Sequence, residues 1–131
     1  MPREHHTAVV ETRIRIVHLL RAMSPVRTPL EFSVSTPLGF GVRCTRDWWR
    51  WGILPKHPVL DGQSGEVARS LAFPDQVRRS RGDAGVLLFY RRCGKRWMCA
   101  VVQVADEAPF LLTAYPTDGL KPGEIVWTVF E

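Results

Sequence analysis

The sequence predicts an α+β fold, with one or two N-terminal helices packed on a four- to five-stranded antiparallel meander sheet. Three observations lead there. Apolar residues recur at helical spacing between residues 45 and 74, the period changes to two from residue 76 onward, and the breaks between the later apolar runs are too short for parallel returns. The 131 residues suit a single core of ordinary size.

Residues 1–30 read as an N-terminal appendage and residues 31–131 as the main domain, because the three prolines of MSPVRTPLEFSVSTPLG mark a junction. In the appendage AVVETRIRIVHLLRAM satisfies the helical and the strand period alike, and His5 and His6 have the character of a polar tail. LEFSVST and GFGVRCT are short strands around a Thr36-Pro37-Leu38-Gly39 turn. Thr45 is placed to cap a helix through RDWWRWGIL, with Trp48, Trp51 and Ile53 on its buried side and Pro55 at its end. Ser64 caps a second helix, in which Val67, Ala68 and Leu71 share a face and which Pro74 stops. QVRRS, VLLFYRR, WMCAVVQV, PFLLTAY and EIVWTVF then read as strands, separated by RGDAG, CGKR, ADEA and TDGLKPG.

Alternation assigns faces. On the strand at 109–115, Phe110, Leu112 and Ala114 point one way, toward the helices, and Thr113 and Tyr115 the other. Thr117 continues the hydroxyl row. The strand at 86–92 sorts less cleanly, since Leu87 and Phe89 oppose Leu88 and Tyr90.

The net charge of +5 and pI near 9.6 favour an anionic partner. Placement sharpens this: residues 78–96 hold seven basic side chains (Arg78, Arg79, Arg81, Arg91, Arg92, Lys95, Arg96) and one acid, Asp83. The aromatics Tyr90, Trp97 and Tyr115 are interleaved with them, and a surface that holds RNA needs both cations for phosphates and rings for bases. Cys44, Cys93 and Cys99 form no Cys-x-x-Cys pair, and they fit reduced thiols in a cytoplasmic protein. No apolar run approaches the roughly 20 residues of a membrane span.

No metal-ligand set and no Gly-rich phosphate cradle is visible, so the sequence calls for no cofactor. Cleaving RNA without a metal requires a group to take the 2′-hydroxyl proton, cations for the phosphoryl oxygens and a proton source for the leaving oxygen. His57, in the helix-to-helix connection beside Lys56 and Pro58, is the one histidine inside the main domain, and imidazole suits proton transfer near neutral pH.

The segments GFGVRC, RCTRDWWRWGILPKHPVL, EVARSLAFPDQVRRSRGDAGVLLFYRR and FLLTAYPTDGLKPGEIVW resemble small phage-associated and bacterial domains of the barnase, EndoU, colicin E5/D and RelE-like nuclease superfamily. The resemblance covers residues 39–127 and implies that the sheet face away from the helices is an RNA site. Carried over by position, it marks His57, Arg79, Ser80, Tyr90, Arg92, Thr113, Tyr115 and Thr117. The chain departs from a barnase-type site in having no acidic residue on that face, so a carboxylate base is not expected. Charge pattern and resemblance together give the expectation of a toxin-like, metal-independent endoribonuclease that leaves a 2′,3′-cyclic phosphate. His57, Tyr90, Thr113 and Tyr115 would be catalytic, and Arg79, Ser80, Arg92, Lys95 and Thr117 would hold the RNA. The expected partners are RNA and an acidic antitoxin or immunity protein. The alternative is a non-catalytic RNA-binding or partner-binding module of the same fold.

Overall fold

A computed structural model describes residues 28–105 and 108–129, so the AVVETRIRIVHLLRAM stretch, His5 and His6 lie outside the described residues. Strands β1 (Leu30–Ser35) and β2 (Gly41–Thr45) form the expected hairpin, closed where the Thr36 hydroxyl donates to the Phe40 carbonyl at 2.9 Å. Thr45 Oγ1 then accepts the Trp48 amide at 3.0 Å, the capping bond anticipated for it.

The segment so capped is not a regular helix. Trp48–Ile53 is π-helical, and the Leu54 amide donates to the Trp49 carbonyl, five residues back, at 3.0 Å. The wider turn carries Trp49 and Ile53 inward and leaves Trp51 71% exposed, which corrects the buried Trp48, Trp51 and Ile53 face expected from a 3.6-residue period. Trp48 is half-buried and its indole Nε1 donates to the Leu111 carbonyl at 2.8 Å. A 3-10 turn, Pro58–Leu60, leads into α1 (Ser64–Ala72). Gln63, not Ser64, stands at the N-cap of α1, and the Ser64 hydroxyl donates to Glu31 Oε2 at 2.6 Å, tying α1 to β1.

Strands β3 (Gln76–Arg79), β4 (Val86–Cys93), β5 (Arg96–Gln103), β6 (Phe110–Thr117) and β7 (Ile125–Thr128) follow at the places the period of two indicates. Their assembly overturns the expected four- to five-stranded antiparallel meander with one or two helices. All seven strands form one mixed sheet, curled into a half-barrel, in the order β1-β2-β6-β5-β4-β3-β7. The pairing of β2 with β6 is parallel, through Arg43↔Phe110, and among the described residues α1 is the one regular α-helix. The meander survives from β3 to β6.

Two physical facts account for the difference. Apolar period identifies a strand but carries no information about its distant neighbour, so nothing local assigns the β1–β2 hairpin to the β6 edge. The connection at 118–124 does not turn back on β6; it crosses the sheet so that β7 pairs with β3. Seven extended residues reach about 24 Å, and curling brings the far edge of β3 within that span.

The crossing gives the sheet two apolar faces. One packs on α1 and the π-helical segment, where Val42, Trp49, Ile53, Leu60, Val67, Leu71, Val77, Phe89, Val102 and Leu111 are buried. Each large side chain so enclosed contributes about 1.5–3 kcal/mol. The other buries Val86, Leu88, Tyr90 and Cys99, with Trp97, Val101, Leu112, Tyr115 and, from the crossing connection, Leu120 packed around them. This is why VLLFY shows no alternation: β4 is covered on both sides. In β6 the register shifts, Val101 pairing with Thr113 but Val102 with Leu111, so Leu112 is an inserted residue. Leu111 and Ala114 therefore reach the α1 side and Leu112 the second cluster, correcting the shared face expected for Phe110, Leu112 and Ala114. Among the described residues no helix is long and apolar enough to cross a membrane.

The crossing connection passes so near β3 that a Cβ on Gly123 would collide with the Arg79 carbonyl oxygen, whereas one on Gly119 would meet nothing within 4 Å. Gly123→Ala should lower stability by about 2 kcal/mol and Gly119→Ala should change it by less than about 0.5 kcal/mol. Urea unfolding measures both, and equal midpoints would mean that the connection does not lie against β3.

Candidate functional site

Strand register sets out the second face in rows. Gln76, Tyr90, Cys99 and Tyr115 form one row across β3, β4, β5 and β6, and Arg78, Leu88, Val101 and Thr113 form a second. A third, toward the β4–β5 hairpin, runs Arg92, Trp97, Thr117. Neighbours within a row are about 5 Å apart, and rows of one face are about 7 Å apart.

Two side chains arrive from outside the strands. His57 follows the π-helical segment, where its amide donates to the Ile53 carbonyl at 3.1 Å, and its ring centroid lies 5.9 Å from that of Tyr115. Lys121 belongs to the crossing connection. Its amide donates to the Tyr90 hydroxyl at 3.0 Å, its carbonyl accepts from Arg78 at 2.9 Å, and its Nζ stands 5.3 Å from the Tyr115 ring centre. An imidazole and an ammonium thus lie against one phenol.

The hydroxyls of this face are deeply set. Burial pushes Tyr90 up to about 12, against the lowering effect of the Lys121 amide, and burial with the neighbouring Cys99 raises Tyr115 still further. Both remain protonated near neutral pH, where such a phenol donates a hydrogen bond more readily than a proton. Thr113 Oγ1 and Tyr115 Oη are buried without a hydrogen-bond partner in good geometry, and the Cys99 thiol is the group that interacts with Tyr115.

The remaining expected residues fall into two groups. Arg92, Lys95 and Thr117 gather at the hairpin end of the same face. There the Arg92 Nε donates to the Gly94 carbonyl at 2.9 Å, its guanidinium carbon stands 5.2 Å over the Trp97 ring, and the Thr117 hydroxyl donates to the Gly119 carbonyl at 3.1 Å. Lys95 is exposed at the turn, whose first residue, Gly94, has φ +64, a conformation glycine meets without strain. Arg79 and Ser80 are not with them. They enter the β3–β4 hairpin at the other end, where Arg79 donates to the Ala84 carbonyl at 2.8 Å and the Ser80 amide to the Val86 carbonyl at 2.9 Å.

Lys121 and Arg78 complete the constellation without having been singled out for it. Arg78 carried a signal, since it shares its parity with Gln76 on β3. Lys121 lies in the resembling FLLTAYPTDGLKPGEIVW segment but was assigned no role, because only the crossing brings it to Tyr115. Several guanidiniums, those of Arg78, Arg79, Arg91 and Arg92, bond backbone carbonyls, which orient them without cancelling their charge; Arg96 instead pairs with Asp118 at 2.8 Å. A polar recess between Glu31, Arg50 and Asp61 contains none of these residues. Among the described residues no group of three or more His, Cys, Asp or Glu is placed to hold a metal ion. Comparison with protein-family models, with curated proteins and with solved structures returns no match.

Burial also marks the thiols apart. Cys99 is 0% exposed and pushed up from 9.0 to about 11, and Cys44 is 2% exposed and pushed up from 9.0 to about 12 by burial and then by Glu31, while Cys93 is half-buried. Native protein should therefore titrate one fast thiol, Cys93, with Ellman's reagent at pH 8, and all three after unfolding. Between pH 9 and about 11 an unfolded chain ionises Cys44 and Cys99 while the fold keeps them neutral, so the unfolded state binds fewer protons. Stability is then complete below pH 9 and falls as pH rises through that window, a decline that denaturant midpoints at pH 8, 9.5 and 11 measure.

Proposed function

We propose that the chain is a metal-independent endoribonuclease working at the Tyr115 face. One juxtaposition supports this: His57 and Lys121, from separate connections, meet at the same phenol beside the hydroxyls of Thr113 and Tyr115. The set supplies two of the three things RNA transesterification asks for, a proton acceptor and a cation, and water supplies the third. His57 takes the proton of a 2′-hydroxyl, the 2′-oxygen bonds to phosphorus as the bond to the 5′-oxygen breaks, and the departing oxygen takes a proton from water. Products are a 2′,3′-cyclic phosphate and a 5′-hydroxyl. Lys121 answers the charge on the phosphoryl oxygens, while Arg92 and Lys95 hold the adjoining backbone. Arg78, bonded to the Lys121 carbonyl, keeps that lysine in place. The likeness of residues 39–127 to the barnase, EndoU, colicin and RelE-like superfamily points the same way.

One observation favours the non-catalytic alternative: the Tyr90 hydroxyl is already engaged by the Lys121 amide, and Tyr90 is wholly buried. In that case the face binds RNA and leaves it intact. The two are separated by incubating RNA with the protein in EDTA. Cleavage by the wild type, reduced about 100-fold or more in His57→Ala and Lys121→Ala with RNA binding retained in His57→Ala, is expected. Salt-dependent binding with no product would establish the binding module instead, and neither binding nor cleavage would remove both.

A further inference from the structure

Beyond the phosphate contact proposed for Arg92, the Arg92 and Trp97 pair serves only local packing. The Trp97 indole is half-buried and its placement is fixed from two sides. Tyr90 meets it edge-on, with centroids 6.5 Å apart and planes at 84°, and the Arg92 guanidinium stands over the ring while bonded to the Gly94 carbonyl. Arg92 itself is exposed, and its guanidinium lies over an aromatic ring already held from two sides. Trp97 pairs with Thr117, two residues along β6 from Tyr115. That offset, one strand and one row, sets Trp97 about 8 Å from Tyr115, the ring against which His57 and Lys121 lie.

We infer that Arg92 and Trp97 form a stacking platform for one unpaired base of a single-stranded RNA, next to the phosphate treated at Tyr115. This rests on the RNA-facing function proposed above and adds the substrate class. A π surface capped by a cation accepts any base, through its face, and the charge that would disfavour a purely apolar platform is an advantage beside phosphates. Duplex RNA is disfavoured because a base within a helix already has both faces covered by its neighbours. Stacking does not read the sugar, so single-stranded DNA fits the platform equally but lacks the 2′-hydroxyl the chemistry needs.

The test measures fluorescence anisotropy of labelled 12-nucleotide single-stranded RNA, the matching RNA duplex and single-stranded DNA, each with His57→Ala protein to prevent turnover. Trp97→Leu, which keeps apolar bulk against Tyr90, and Trp97→Phe, which keeps a π face, are then added in that background, with melting curves verifying the fold. Single-stranded RNA and DNA should bind comparably and the duplex about tenfold more weakly. Trp97→Leu should weaken single-strand binding about tenfold with an unchanged salt slope, and Trp97→Phe should restore most of it. In otherwise wild-type protein Trp97→Leu should raise KM for RNA and leave kcat unaltered. Equal binding of duplex and single strand, or equal affinity of the Leu and Phe variants, overturns the platform. Absence of cleavage by the wild type with the binding pattern intact removes the nuclease and leaves the platform standing.

Discussion

The hydrogen bond from the Lys121 amide to the Tyr90 hydroxyl holds the molecule's least ordinary feature, a connection that runs across the sheet rather than around its end. A phenol buried in the middle of a strand face must find a partner, and a backbone amide supplies one only if chain passes directly above it. Once the connection is there, the rest follows by geometry. Leu120 packs against the cluster of Val86, Leu88, Tyr90 and Cys99, the Lys121 carbonyl collects Arg78, and the Glu124 carbonyl takes the Arg79 amide at 2.8 Å and delivers β7 to the β3 edge. The strand order, the second apolar layer and the approach of Lys121 to Tyr115 are thus consequences of one crossing.

Backbone carbonyls account for how a strongly basic stretch coexists with a small fold. Seven basic side chains between residues 78 and 96 would repel one another if left to wander, and pairing each with a carboxylate would erase the field. Carbonyl acceptors avoid both outcomes. The Lys121, Ala84, Phe73 and Gly94 carbonyls each take a guanidinium N–H from Arg78, Arg79, Arg91 and Arg92. Guanidinium offers five donors, so each arginine keeps the capacity to bind an anion after its direction has been set.

What the sequence disclosed follows the range of the interactions involved. The five strands after residue 76, the Thr45 cap and the β1–β2 hairpin depend on neighbours a few residues away, and all were legible. The parallel contact of Arg43 with Phe110 and the docking of β7 on β3 depend on residues far apart in the chain, and they were not. Between these lie local irregularities that a regular period misses: the π-helical turn that exchanges Trp51 for Trp49, and the inserted Leu112 that moves Leu111 to the core. The site divides the same way. Thr113 and Tyr115 keep the side that alternation assigns them, His57 joins them by folding of its connection, and Lys121 comes from a stretch whose pattern reads as an ordinary turn.

The hydroxyl row then acquires a different physical meaning from the one a solvated face would give it. Thr113 and Tyr115 are not a wet rim; their oxygens are buried beside an apolar cluster, Thr113 Oγ1 without a partner and Tyr115 Oη with only the Cys99 thiol near it, a state that costs stability and is rare in folded chains. Two such donors side by side would be expelled from an ordinary core by substitution with Val and Phe, which fill the same space. Thr113 and Tyr115 lie next to an imidazole and an ammonium, both carried on connections rather than strands, so the buried hydroxyls belong to the sheet and the basic groups to the segments that border it.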